Sequence, residues 1–294
     1  MTATSEPIPT YTLNNGVTMP SVGLGCWMGS PGGGERTHAM VLKALKLTDL
    51  YLSRRSMRDK VVEGLEQSLV RLGVDYVDLY LIHWPQVLRN GVNLQPEERP
   101  TVVDTWRDME KLLKVGKVRS IGVANFSVKT LNQLLPHCEI IPSVNQVEMH
   151  PCLPQEDLRH LCDKKGIRII AYSPLGQPSS SMNKDEKPSL LEDASVQSIA
   201  TKNNITPAQA LLSWGVQRGT GIIPKTEDEA RMRSNITLVT LDEEDMKTLN
   251  ELHKKPGMHR SLFFTKDTDK VAGWTYDQLG WNRVAGGFVP GSLR

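Results

Sequence analysis

Two periodicities alternate along most of the chain. Short apolar runs of strand character fall at 22–27 (VGLGCW), 50–53 (LYLS), 77–83 (VDLYLIH), 119–124 (RSIGVA), 143–148 (SVNQVE), 167–172 (IRIIAY) and 220–224 (TGIIP). Between them apolar positions recur at three- and four-residue spacing, which predicts helices near 37–47, 59–72, 101–115, 127–136, 155–165, 194–218 and 227–235. Strands that alternate with helices pair in parallel, and this many repeats favour a barrel of α/β class over an open sheet. Seven units can be counted, one short of the eight that close a (β/α)8 barrel. Ahead of them, YTLNNGVTMP sets Asn15-Gly16 between two extended runs and predicts a hairpin with a two-residue turn. Two stretches escape the pattern: 176–189 (GQPSSSMNKDEKPS), expected to be a mobile surface loop, and the tail from Lys254 to Arg294, which holds Trp274 and Trp281. No linker or repeat divides the rest, so 1–294 is read as one domain.

Composition alters this picture only by exclusion. The 294 residues carry 35 Lys and Arg against 33 Asp and Glu, with no basic stripe interleaved with aromatics, so neither nucleic acid nor a membrane surface is the expected partner. A small molecule is. No apolar run approaches the ~18 residues of a membrane span, and the N-terminus has no basic segment leading into an apolar one. Four cysteines (26, 138, 152 and 162) form no CxxC pair, which suits reduced thiols and a cytoplasmic location.

Chemistry in such a barrel belongs to the C-terminal ends of the strands. His83, Asn125 and Tyr172 occupy such ends, although each could equally be a strand terminator with a satisfied polar group. Gln146, Glu148 and His150 share one strand face, but with no second histidine beside them no metal is expected. The sharpest local signal is IIPKTEDEARMRSNI. Lys225 and Thr226 follow a strand, while Arg231 and Asn235 lie four apart on the helix that starts there, an arrangement that suits a phosphate as well as a solvated charged helix. The fingerprint GxGxxG is absent, since Gly23-Leu-Gly25 lacks its third glycine, and no Gly-Lys-Ser/Thr follows the glycines of 29–34.

Taken together, LNNGVTMPSVGLGCW, LGVDYVDLYLIHWP, KVRSIGVANFS, NQVEMHP, AYSPLG and IPKT…R…N resemble the aldo-keto reductases, a (β/α)8 family that uses NADP(H), and the tail VAGWTYDQLGW resembles fungal members acting on sugars or small aldehydes. The resemblance implies that His83 orients and polarises the carbonyl of a small substrate. It implies that Asn125 and Gln146 hold the nicotinamide carboxamide, that Tyr172 stacks on the ring, and that Ser173 and Leu175 also bind the cofactor. Lys225, Thr226, Arg231 and Asn235 would take the adenosine end and its 2′-phosphate, and Trp27 and Trp84 would line the substrate pocket.

One part of the family pattern is missing. After the first helix the family carries a second strand and helix, resembling GYRHIDTA and then YGNE, which bring an Asp and the Tyr that protonates the product; a third strand then ends in a Lys. Here LYLSRR resembles that third strand directly, with Arg55 at or near the place of the Lys, so one βα unit is absent between Leu47 and Leu50. An always-protonated Arg55 cannot act as the acid. Tyr80, three residues before His83 on one strand, should face the other way, and Tyr276 lies in the unpatterned tail. The sheet is therefore expected to be open or strained between its first strand and Leu50. Three readings stay open: a reductase with weak turnover, a non-catalytic NADPH-binding protein, or a splice variant or gene-model error cut at a unit boundary.

Overall fold

The computed structural model of the chain describes residues 8–27, 34–45, 53–56, 61–176, 189–261, 270–284 and 287–290. The chain begins with an antiparallel hairpin of β1 (Thr10–Thr12) and β2 (Thr18–Pro20). Its turn is longer than the expected two residues. The Leu13 carbonyl accepts from the Gly16 amide at 2.9 Å and the Leu13 amide donates to the Val17 carbonyl at 2.9 Å, so Asn14-Asn15-Gly16 form a three-residue loop. Gly16 closes it at φ +84°, a left-handed position that a side chain would strain.

Next come α1 (Gly34–Leu45), β3 (Ser53–Ser56), α2 (Val61–Leu72), β4 (Val77–Ile82) and a small pair, β5 (Leu88–Arg89) with β6 (Val92–Asn93). Helix α3 (Val102–Lys114), β7 (Val118–Ala124), α4 (Val128–Leu134), β8 (Val144–Glu148), α5 (Glu156–Lys165) and β9 (Arg168–Tyr172) continue the alternation. Two helices, α6 (Ala194–Lys202) and α7 (Pro207–Gln217), precede β10 (Gly221–Ile222), and α8 (Glu229–Ile236) and α9 (Glu243–Glu251) follow it. The tail adds β11 (Lys270–Val271), β12 (Trp274–Thr275) and α10 (Tyr276–Leu279).

Six strands form one parallel sheet in the order β10-β9-β8-β7-β4-β3. Val22 extends it past β10 by a parallel bridge to Ile222, with Gly23 N–H donating to the Ile222 carbonyl at 2.8 Å and Gly25 N–H to the Pro224 carbonyl at 2.9 Å. A Cβ on Gly25 would lie 2.6 Å from the Ile223 carbonyl oxygen, so this glycine serves a close backbone approach. The strand expected over 22–27 is reduced to that contact. Among the described residues no pairing joins β3 to the Val22 segment, so these two are the edges of the sheet as described.

Other expectations shift locally. The strand expected at 50–53 contributes Ser53 to β3, and 50–52 lie outside the described residues, as do 177–188 of the expected loop. The single helix expected over 194–218 is two: Asn203 ends α6, then Thr206 caps α7, accepting from the Gln209 amide at 3.2 Å, with Pro207 as its first residue. Helix α9 was not expected. The tail has more structure than its pattern suggests.

Side chains alternate between two cores. Leu79 and Leu81 of β4, Ala124 of β7, Val144 of β8 and Ile170 of β9 point inward, where Leu13 and Met19 of the hairpin join them in one cluster. The intervening residues, such as Tyr80, Val123, Val147 and Ile169, belong to the outer core with Leu65, Trp106, Met109 and Trp214 from the surrounding helices. Each fully buried large side chain contributes about 1.5–3 kcal/mol. Strand parity thus decides which residues can line the mouth.

Candidate active site at the mouth of the barrel

The inward parity of Leu79 and Leu81 continues to His83, that of Val144 to Gln146 and Glu148, and that of Ile170 to Tyr172. These ends are tied together by Asn125. Its side-chain Nδ2 donates to the His83 carbonyl at 2.9 Å, its Oδ1 accepts from the Tyr172 hydroxyl at 2.8 Å, and its amide donates to the Gln146 carbonyl at 2.9 Å. The backbone of Asn125 is left-handed, at φ +64°, a conformation that asparagine adopts far more readily than bulky residues do. Ser173 is left-handed as well, at φ +48°, and its carbonyl closes a turn by accepting from Gly176. Leu175 packs against the outer core. The half-buried His83 ring lies with its centroid 6.1 Å from that of Trp84.

A second group gathers after β10. Thr226 Oγ1 accepts from Arg231 Nε at 3.1 Å and from the Asp228 amide at 3.2 Å, while Asp228 caps α8 by accepting from the Arg231 amide at 2.8 Å. Lys225 Nζ donates to Glu227 at 2.8 Å, and the same carboxylate pairs with Arg36 of α1 at 2.9 Å. These two hydrogen bonds hold the Glu227 carboxyl below the usual carboxylate range. Asn235 is buried one helical turn beyond Arg231. Two exposed cations and a hydroxyl converge within one turn of a helix N-terminus, a donor set of the kind a phosphate accepts from.

Trp84 joins Trp274 and Leu279 in a buried cluster against which Val271 and Trp281 pack, so the tail covers this side of the mouth. Trp27 does not take part: it is 53 % exposed and belongs to none of the apolar clusters. Glu148 and His150 turn to each other and to the tail. His150 Nε2 lies 3.0 Å from Glu148, Ser261 donates to the other carboxylate oxygen and Arg283 stands 3.8 Å away, so the carboxylate is neutralised within the fold. Of the described tyrosines, Tyr80 lies in the outer core, Tyr11 bonds the Val216 carbonyl beneath the barrel, and Tyr276 is buried at the start of α10. Register pairs Arg55 of β3 with Leu81 of β4.

Residues 32–254 match the model of the aldo/keto reductase family. The chain belongs to that family. This aldo/keto reductase is 38% identical to a D-galacturonate reductase of Hypocrea jecorina, over 82% of this chain and 89% of that protein. It is 33% identical to an aldehyde reductase of Saccharomyces cerevisiae, over 85% and 93%. A solved Bombyx mori aldo-keto reductase, in complex with NADP, superposes with a TM-score of 0.76 at 27% identity, over 84% of this chain and 93% of the other. The fold is therefore the TIM-type barrel of the family. The alignment to the Hypocrea jecorina protein spans 283 positions yet uses only 82% of the 294 residues here, about 241, so roughly 40 positions have no counterpart in this chain. That is the scale of a βαβ stretch, about 30 residues or more. No helix among the described residues is long and apolar enough to cross a membrane.

Spacing brought out His83, Asn125, Gln146, Tyr172, Lys225, Thr226 and Arg231, and the structure joins the first four and the last three into two groups. It gave no sign of Ser261 and Arg283, which reach Glu148 from positions 113 and 135 residues further on.

Proposed function

We propose that this aldo/keto reductase binds NADP(H) across the barrel mouth and reduces small aldehydes or aldoses, with turnover far below that of a complete barrel. The observation that carries the reading is the Asn125 tie, which holds the His83, Gln146 and Tyr172 strand ends in one constellation. The NADP of the Bombyx mori relative supports the choice of cofactor. When bound, NADPH supplies the hydride. Asn125 and Gln146 would hold its carboxamide and Tyr172, with Ser173 and Leu175 beside it, would carry the ring. Lys225, Thr226, Arg231 and Asn235 would meet the 2′-phosphate, whose charge would take over the cations now shared with Glu227. His83 would donate a hydrogen bond to the substrate carbonyl beside the Trp84 wall, while Trp27 would reach the substrate only from the rim. The 1–294 chain would act as one domain.

Weak turnover follows from the missing acid. General acid catalysis is typically worth ~10²–10⁴-fold. Tyr172 is engaged by Asn125 and Tyr80 faces outward, so neither can replace the family tyrosine.

Titration with NADPH and NADH tests the cofactor. NADPH should bind more tightly, and Arg231→Ala should weaken it by roughly 10- to 100-fold, the equivalent of one charge-assisted contact of about 1.5–3 kcal/mol. Equal affinities, or no loss in Arg231→Ala, would defeat the reading. Reduction of 4-nitrobenzaldehyde should be trace and vanish in His83→Ala. NADPH binding with no turnover at all would favour the non-catalytic alternative.

A further inference from the structure

We infer that Glu148 is a positioning residue that sets the substrate wall of the mouth through Arg283 and Trp281. The inference rests on the reductase reading for its substrate but stands on the packing alone for its geometry.

Glu148 ends the strand that carries Gln146, is 1% exposed, and faces inward. Two parts of the tail converge on it: Ser261 by a short hydrogen bond and the Arg283 guanidinium at 3.8 Å. Arg283 is itself buried, and its guanidinium carbon lies 4.7 Å above the centre of the Trp281 ring. Trp281 in turn packs on the Trp84, Trp274 and Leu279 cluster, and Trp84 adjoins His83. A continuous line of contact therefore runs from a buried carboxylate on the cofactor strand to the aromatic beside the proposed carbonyl-binding histidine. The outer end of the wall is fastened separately. Gln86 donates to the Val271 carbonyl at 2.8 Å, Trp274 Nε1 to the Leu94 carbonyl at 2.7 Å, and Ser127 to the Leu279 carbonyl at 2.7 Å.

Those outer contacts hold the tail against the loops, while Trp281, which also packs on the outer core, has one face covered by Arg283. A guanidinium suits this double duty, since its plane can stack on an indole while its edge faces a carboxylate. An amide at position 148 would keep the shape and remove the charge that draws Arg283 inward. Glu148 is in register with Tyr172 and two residues from Gln146, whereas Arg283 belongs to the tail, so it is in Arg283→Met that the two affinities should separate.

Glu148→Gln and Arg283→Met decide the matter, each compared with the unaltered chain. Two affinities are measured, for NADPH and for 4-nitrobenzaldehyde in the presence of NADP⁺, together with the near-ultraviolet dichroism of the tryptophans. In both variants we expect the aldehyde affinity to fall roughly tenfold, a coupling typical of a packed network, and in Arg283→Met we expect NADPH affinity to hold within about twofold. A general loss of structure would lower both affinities together in Arg283→Met and would overturn the inference, as would unchanged aldehyde affinity in that variant. Should Glu148→Gln fail to fold, Arg283→Met carries the comparison. If the unaltered chain binds no NADPH, the reductase reading fails by itself. The dichroism then decides: a flattened tryptophan signal in Arg283→Met upholds the positioning role, and an unchanged one removes it.

Discussion

A carboxylate sealed from water ought to be hard to ionise, and Glu148 shows what overcomes that. Burial alone would raise its pKa, but the His150 hydrogen bond and charge, the Arg283 charge and the Ser261 hydroxyl outweigh it and hold the group at about 2. A pKa depressed in the fold stabilises it above the unfolded value of 4.5 and loses that contribution as pH falls toward 2. Urea denaturation should accordingly show the native chain more stable than Glu148→Gln at pH 7, by about 3–5 kcal/mol for an uncompensated buried partner, with the gap closing between pH 4.5 and 2. A gap that stays constant over that range would contradict the assignment. At this scale the sequence was informative where chemistry and strand ends coincide, as at His83 and Asn125. It was silent where a partner comes from far along the chain. For Asn125 the position could be read but not the tie, because its left-handed backbone and the bond from Tyr172 depend on three strands arriving together.

Elements were legible in proportion to their burial on two sides. Strands β4, β7, β8 and β9 have apolar runs that only a parallel sheet uses, and each appears within a residue or so of its expected limits. Short edge elements fared worse, since Val22 and β10 are held by backbone contacts that leave little mark on composition. Helix α9 was missed because its first turn is Glu243, Glu244 and Asp245, a polar run whose buried Leu249 comes only later. The break between α6 and α7 depends on caps rather than on apolar period. Asp193 starts α6 by accepting from the Ser195 amide at 2.9 Å and the Val196 amide at 3.4 Å, and it also meets Lys255. Replacing it by alanine should cost about 1 kcal/mol, mostly as cap, since the exposed part of the ion pair contributes little. Thermal melts of Asp193→Ala against Asp193→Asn would check this: asparagine should recover most of the loss, and equal losses would place the stability in the ion pair instead.

For the whole molecule the decisive feature is the seam between the Val22 segment and β3. The sequence counts seven units, β3 and the Val22 segment are not paired with each other among the described residues, and the alignment leaves roughly 40 positions without a counterpart in this chain. Grafting the corresponding βα unit of the Hypocrea jecorina relative between Leu47 and Leu50, with Arg55→Lys, should raise both the melting temperature and 4-nitrobenzaldehyde turnover, the latter by ~10²-fold or more if the acid is what the chain lacks. Unimproved turnover in a well-folded graft would locate the defect elsewhere. The seam also has a kinetic meaning. In a closed barrel the first strand is gripped from both sides, one partner being near in sequence; here its described grip is on Ile222, 200 residues away. Every other neighbouring pair in the sheet is joined through a shorter loop. Loop closure grows more costly with the length of chain enclosed, so this clasp has the most entropy to overcome. The N-terminal strand should be the last part of the sheet to lock during folding and the first to slip when the molecule is pulled or heated.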